Sequence, residues 1–140
     1  TVTNIAKSKN AAADADGLAQ IYSTYTAITT GTGGVITSCI IDASQSNVNF
    51  NTSGKITTDL TVAPQTKNEL GDAYGMKKAS SIGKEWNEQA AAFAAYVTGK
   101  TAAEVAGIAV SEGYAGDADL KASVTVHITD FMAIIAKAAA

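Results

Sequence analysis

Apolar and polar positions alternate with a period of two through most of the first half of the chain, then switch to a helical period in the second. Residues 1–7 place Val2 and Ile5 among β-favouring Thr and predict a strand. Residues 8–17 read as a loop that ends in Asp14-Ala15-Asp16-Gly17. Residues 18–30, rich in Thr, Tyr and Ile, predict a long strand, and Gly31-Thr32-Gly33-Gly34 is a turn signal before a second strand over 35–43. In that strand Val35, Thr37, Cys39, Ile41 and Ala43 share one face, and Ile36, Ser38, Ile40 and Asp42 the other. Both faces are partly apolar, as a central strand requires. Shorter strands are expected over 46–51 and 55–60, on either side of a turn at 51–54.

The period changes near Ser81. Trp86, Ala90, Phe93 and Val97 fall on one helical face, with Gly99 placed as a C-terminal stop. Thr101-Ala102-Ala103-Glu104 is a capping-box pattern that opens a short helix with Val105 and Ile108 inward. Residues 111–123 form a Gly- and Asp-bearing loop with one helical turn, and Val124, Val126 and Ile128 alternate as a strand. Thr129 or Asp130 then caps a closing helix whose inner face is Phe131, Ile134, Ile135 and Ala138. With no repeat and no linker, the reading is one α+β domain over residues 1–140. It is a mainly antiparallel sheet covered by amphipathic helices.

Composition narrows what such a domain does. Of 140 residues, 28 are Ala and 17 are Thr; all ten basic residues are Lys, against 13 Asp+Glu, for a net charge of −3. An acidic, Arg-free chain is a poor phosphate-backbone binder, so nucleic acid is not expected as a partner. One Cys (Cys39) excludes an intrachain disulfide and Cys-based metal centres, and one His (His127) leaves no conventional metal site. The longest apolar run, residues 90–97, is too short to span a bilayer. The chain opens on Thr1 rather than Met, as a processed or recombinantly cut chain would, and shows no signal-peptide pattern. Scarce charge and abundant Ala, Thr, Ser and Gly match the composition of secreted and cell-surface proteins, and weak self-repulsion favours self-association.

No catalytic constellation stands out. Asp14–Gly17 resembles the start of a calcium loop but lacks the later ligands and reads as a turn. His127 has no Ser or Cys beside it in sequence, and Cys39 reads as a small apolar residue of the sheet. Gly31–Gly34 has no following Lys-Ser/Thr and is not a phosphate loop. Asn51-Thr52-Ser53 matches a glycosylation sequon by pattern. The densest stretch is Lys67-Asn68-Glu69-Leu70-Gly71-Asp72-Ala73-Tyr74-Gly75-Met76, followed by residues 77–86. Its Gly residues allow close backbone approach, and Tyr74, Met76 and Trp86 could pack on a flat ligand. Glu69, Asp72, Tyr74 and Lys77 or Lys78 could also do acid–base work.

The same stretch carries a resemblance. Glu69-Leu70-Gly71, Trp86 with Gln89 and Phe93, and Gly99-Lys100 resemble the FMN-binding domain of the flavin subunits of sodium-pumping NADH:quinone reductase and Rnf complexes. The runs 41–45, 54–60, 69–80 and 82–86 are closer to a group of small secreted proteins and lipoproteins of anaerobic Gram-positive bacteria. In the flavin domain, FMN is attached through the Thr of a Ser-Gly-Ala-Thr motif before the last helix. Here Val124-Thr125-Val126-His127 stands in that place, so the resemblance does not extend to covalent attachment. It implies an FMN-binding-domain-like fold. It also implies, as an alternative function, a flavin-binding electron carrier of the cell envelope that holds FMN non-covalently on Glu69, Gly71, Tyr74 and Met76. The main expectation is a non-catalytic extracellular or cell-surface protein in a structural or binding role, without a cofactor. One form of it is a polymer built through the exposed strand edge from Thr1 to Lys7.

Overall fold

In the computed structural model, which describes residues 1–140, one long hairpin organises everything else. Its arms are β2 (Gly17–Thr30) and β3 (Ile36–Phe50), and β1 (Val2–Asn4) pairs with the other side of β2, giving an antiparallel sheet ordered β1-β2-β3. Register runs unbroken from Gly17↔Phe50 to Thr29↔Ser38, then shifts by a bulge before Thr30↔Ile36. Gly33 and Gly34 take positive φ (72° and 74°) in the connecting turn, a conformation that L side chains resist.

One face of the hairpin carries Gln20, Tyr22, Thr24 and Ile28 opposite Asn47, Gln45, Ala43 and Cys39. Helices pack on this face at the end nearest the glycine turn. The opposite face is open to solvent and leaves Ile21 and Ile40 exposed. After β3 come α1 (Lys67–Leu70), a 3₁₀ turn over Gly71–Tyr74, and α2 (Trp86–Val97), which lies along β3. Then α3 (Ala102–Ala106), a small hairpin of β4 (Val110–Ser111) and β5 (Tyr114–Ala115), and α4 (Ala118–Lys121) lead to α5 (Thr129–Ala139), packed on β2 and β1. The core lies between sheet and helices: Ile36, Ile41 and Ala43 meet Phe93 and Val97 of α2 and Phe131, Ile134 and Ile135 of α5. Phe131 is in ring contact with Trp86 (5.7 Å) and Phe93 (5.3 Å), locking the two long helices together.

The α+β architecture, the long hairpin, its glycine turn and the Trp86 helix stand as the sequence predicts. Several local expectations are corrected. The strand at the N-terminus is only three residues long. The two strands expected at 35–43 and 46–51 are one, because β2 offers a partner to every position of the polar stretch between them. Residues 55–60 form no strand. Only Ile56 bridges to Phe50, after which the Thr58 hydroxyl replaces a backbone acceptor for the Asn49 N–H and the ladder ends. Residues 124–128 are not a strand either: the Thr125 and Val126 N–H groups go to the Gln89 side chain and that of Ile128 to the Gly113 carbonyl. Ile128, with no side-chain cap, stands at the start of α5, and Ala138 is exposed. The loop at 111–123 contains β5 and α4 as well as turns.

Candidate functional site

The helices cover the half of the sheet nearest the glycine turn and leave the other half open. There a cleft of about 940 Å³ runs over the inner face of β2, from Leu18 to Thr24. Its other walls are Lys7 and Lys9 from the N-terminal loop, Lys67, Tyr74, Met76 and Trp86, and Tyr114 with residues 125–127 and the first residues of α5. The loop is pinned against β2. Ser8 Oγ accepts from the Gln20 N–H (3.0 Å), and Lys9 and Leu18 exchange both backbone hydrogen bonds. That pinning places Lys7 and Lys9 at the rim.

Lys67 is the centre of the site. Thr66 caps α1, accepting from the Glu69 N–H (3.2 Å), while Glu69 Oε2 accepts from the Thr66 N–H (2.7 Å). Asn68 ties the helix to β3, donating from Nδ2 to the Ile41 carbonyl (3.0 Å) and from its backbone to Asp42 Oδ1 (3.0 Å). Lys67 is thereby held over the inner face and is 4% exposed. Its Nζ donates to Tyr22 Oη (2.9 Å) and lies 4.6, 4.5 and 4.9 Å from the ring centres of Tyr22, Tyr74 and Trp86. The three rings offer cation–π attraction, yet no carboxylate pairs with this ammonium. Burial pushes Lys67 down to about 8. Burial, with lesser repulsion from Tyr74 and Asp130, pushes Tyr22 up to about 12. Tyr74 is raised by burial first and by the Glu85 carboxylate second. Glu85 is itself buried (1% exposed) and accepts from the Met76 and Lys77 N–H groups (3.1 and 2.8 Å), which fixes Met76 at the cleft.

Of the four residues the flavin resemblance points to, the structure brings two to this cleft. Tyr74 and Met76 line it. Glu69 is exposed and spent on the α1 cap, and Gly71, at φ 50°, terminates α1 by donating to the Lys67 carbonyl. Neither lines the cleft, and their placement is a correction to that expectation. The acid–base grouping is not assembled: Asp72 pairs with Lys77 at 3.6 Å in open solvent, apart from the cleft. His127 stands against Tyr114, ring centres 4.1 Å apart, on the cleft wall. Cys39 packs half-buried against the core, its thiol pushed up by burial. No group of His, Cys, Asp and Glu is arranged to hold a metal ion. Tyr22, Lys7 and Lys9 carry no signal in the sequence, and Lys67 is marked there only as the first residue of the densest stretch, without a role of its own. A Lys two residues before a capping glutamate looks like any solvated helix charge, and only the tertiary fold places it under three rings.

The chain contains no helix long and apolar enough to cross a membrane. No protein-family model matches the chain. No solved structure matches it. A stretch of 41 residues is 56% identical to a protein named chlorophenol reductase from Desulfitobacterium hafniense; it amounts to 29% of this chain and 12% of that protein's length.

Proposed function

We propose that the chain is a secreted or cell-surface binding domain whose cleft takes a planar anionic aromatic ligand, with non-covalently held flavin mononucleotide as the specific candidate. One observation carries this: the cleft joins aromatic walls (Tyr22, Tyr74, Trp86, Tyr114) to Lys7, Lys9 and Lys67, in a chain that is acidic overall. Rings accept a flat ligand by stacking, and the lysines supply the charge that a phosphate requires. About 940 Å³ lies within the range of ligand clefts. The first residues of α5, Thr129 and Asp130, also line the cleft, where the Asp130 carboxylate offsets the positive end of that helix. Bound there, flavin would supply electron transfer, and the partial similarity to a protein named as a reductase is in keeping with a redox ligand. The secreted or surface location is supported by composition and by the resemblance to small secreted proteins. Titration of the purified protein with FMN, followed by flavin fluorescence, tests the reading. Saturable quenching, stronger for FMN than for riboflavin, is expected; no saturation at millimolar FMN would refute it.

A second reading has its own observation. β1 ends the sheet, so its outer edge has no partner strand within the chain. Strand addition between copies would use that edge. Negative-stain microscopy and light scattering across concentration test it, and strictly monomeric particles would exclude it.

A further inference from the structure

We propose that Lys67 forms a reversible imine with carbonyl compounds that bear an anionic group, held in the cleft by Lys7 and Lys9. Lys67 alone among the ten lysines is buried, and it lines the cleft. A lysine retained for structure is ordinarily paired with a carboxylate when buried. Here the groups around it are Tyr22 from β2, Tyr74 from the 3₁₀ turn and Trp86 from α2, with Lys7, Lys9, His127 and Asp130 elsewhere on the cleft wall and Glu85 behind Tyr74. Asp130 acts on Tyr22 and Glu85 on Tyr74; neither is paired with Lys67. A desolvated, uncompensated ammonium gives up its proton readily, and the neutral amine is the nucleophile in imine formation.

Tyr22 supplies the other requirement. Its hydroxyl is 2.9 Å from Nζ and stays protonated throughout the neutral range, since burial holds it near 12. The Nζ lone pair attacks the carbonyl carbon, and the C=O electron pair moves onto oxygen, which takes a proton from Tyr22 Oη. Nζ returns a proton to the phenolate, leaving a carbinolamine. A second proton passed by the same route lets that oxygen leave as water while the C=N bond forms. The balance is amine plus carbonyl giving imine plus water, with no oxidant or reductant. The capture is covalent binding and is independent of whether flavin uses the same cleft.

Pyridoxal 5′-phosphate, an anionic aromatic aldehyde, is the probe, with borohydride trapping and peptide mass mapping. At about pH 7.5 a lysine near 8 is roughly one-quarter neutral, against about one-thousandth for an exposed lysine. Even with its lower intrinsic basicity, Lys67 is expected to label at least about tenfold faster than any other lysine. Its rate should level off above about pH 8, while exposed lysines keep accelerating. Lys67→Arg should lose the fast phase, and Tyr22→Phe should slow it several-fold without changing the other sites. The wild-type map decides even if a variant fails to fold. Labelling spread over surface lysines, with Lys67 unmodified or no faster, would overturn the proposal.

Discussion

The side-chain oxygen of Gln89 accepts three hydrogen bonds at the Thr125–Val126 turn: from the Thr125 N–H (2.7 Å), the Thr125 hydroxyl (3.2 Å) and the Val126 N–H (3.1 Å). Its amide donates to Ser80 Oγ (3.2 Å) and the Lys84 carbonyl (3.3 Å), and the residue is fully buried. One side chain of α2 thus holds both the loop before it and the cleft wall ahead of α5. Gln89→Leu fills the volume but leaves two backbone N–H groups without a partner, a loss of about 2–4 kcal/mol. Urea denaturation measures it; an unchanged midpoint would show that the turn is held by other means.

That relationship also marks where sequence reading stopped. The alternation Val124, Val126, Ile128 has a strand's period, but a strand exists only if a neighbour takes its backbone groups, and here a glutamine on a distant helix does so. The β2–β3 hairpin was legible because its turn, alternation and partner are contiguous. The cleft was half legible. Tyr74 and Met76 sit in the stretch that looked like a ligand wall, while Glu69 and Gly71 serve α1's ends, roles set within a single turn of helix. Lys67 and Tyr22 are 45 residues apart, and no local pattern announces their meeting.

Gly17 opens β2 opposite Phe50, and an added Cβ there would come within 2.4 Å of the Phe50 ring and 2.7 Å of the Ala11 backbone nitrogen. The ring could turn; the backbone of the pinned N-terminal loop could move only by loosening its pairing with β2. Gly17→Ala is expected to cost about 1–3 kcal/mol by overpacking and to make the cleft-side loop exchange its amide protons faster. Hydrogen exchange at Lys9 and Leu18, whose N–H groups pair across this junction, would report it directly.

Stability should rise with pH in the alkaline range, against the usual trend. Lys67 is near 8 in the folded chain and 10.5 ordinarily, so between those values the unfolded chain binds the extra proton. Folding therefore gains as pH rises from about 8 toward 10, by an amount on the order of 2 kcal/mol. Tyr22 acts in the opposite sense above pH 10, because its folded value near 12 makes the unfolded chain lose the proton first. A maximum close to pH 10 follows. Lys67→Met removes the rise and is the more stable protein below pH 8. Denaturation midpoints of both proteins from about pH 6 to 11 give the comparison, and parallel curves would mean that the lysine titrates as an exposed one.

The rim lysines should matter to ligand charge and little to the fold. Lys7 and Lys9 are exposed, form no ion pair, and are held in place through backbone and Ser8 contacts rather than through their own ammonium groups. Reversing both, Lys7→Glu with Lys9→Glu, changes the cleft's charge by four units (two lost positives, two gained negatives) and leaves its aromatic walls intact. Each unit facing a phosphate at the surface is worth a fraction of a kcal/mol to about one. FMN affinity should therefore fall by roughly tenfold or more at low salt, and riboflavin affinity should change little. Added salt should shrink the FMN difference, since exposed charges are screened within about 10 Å at 0.1 M. Equal losses for FMN and riboflavin would instead indicate a distorted cleft, and no loss for either would place the phosphate away from this rim.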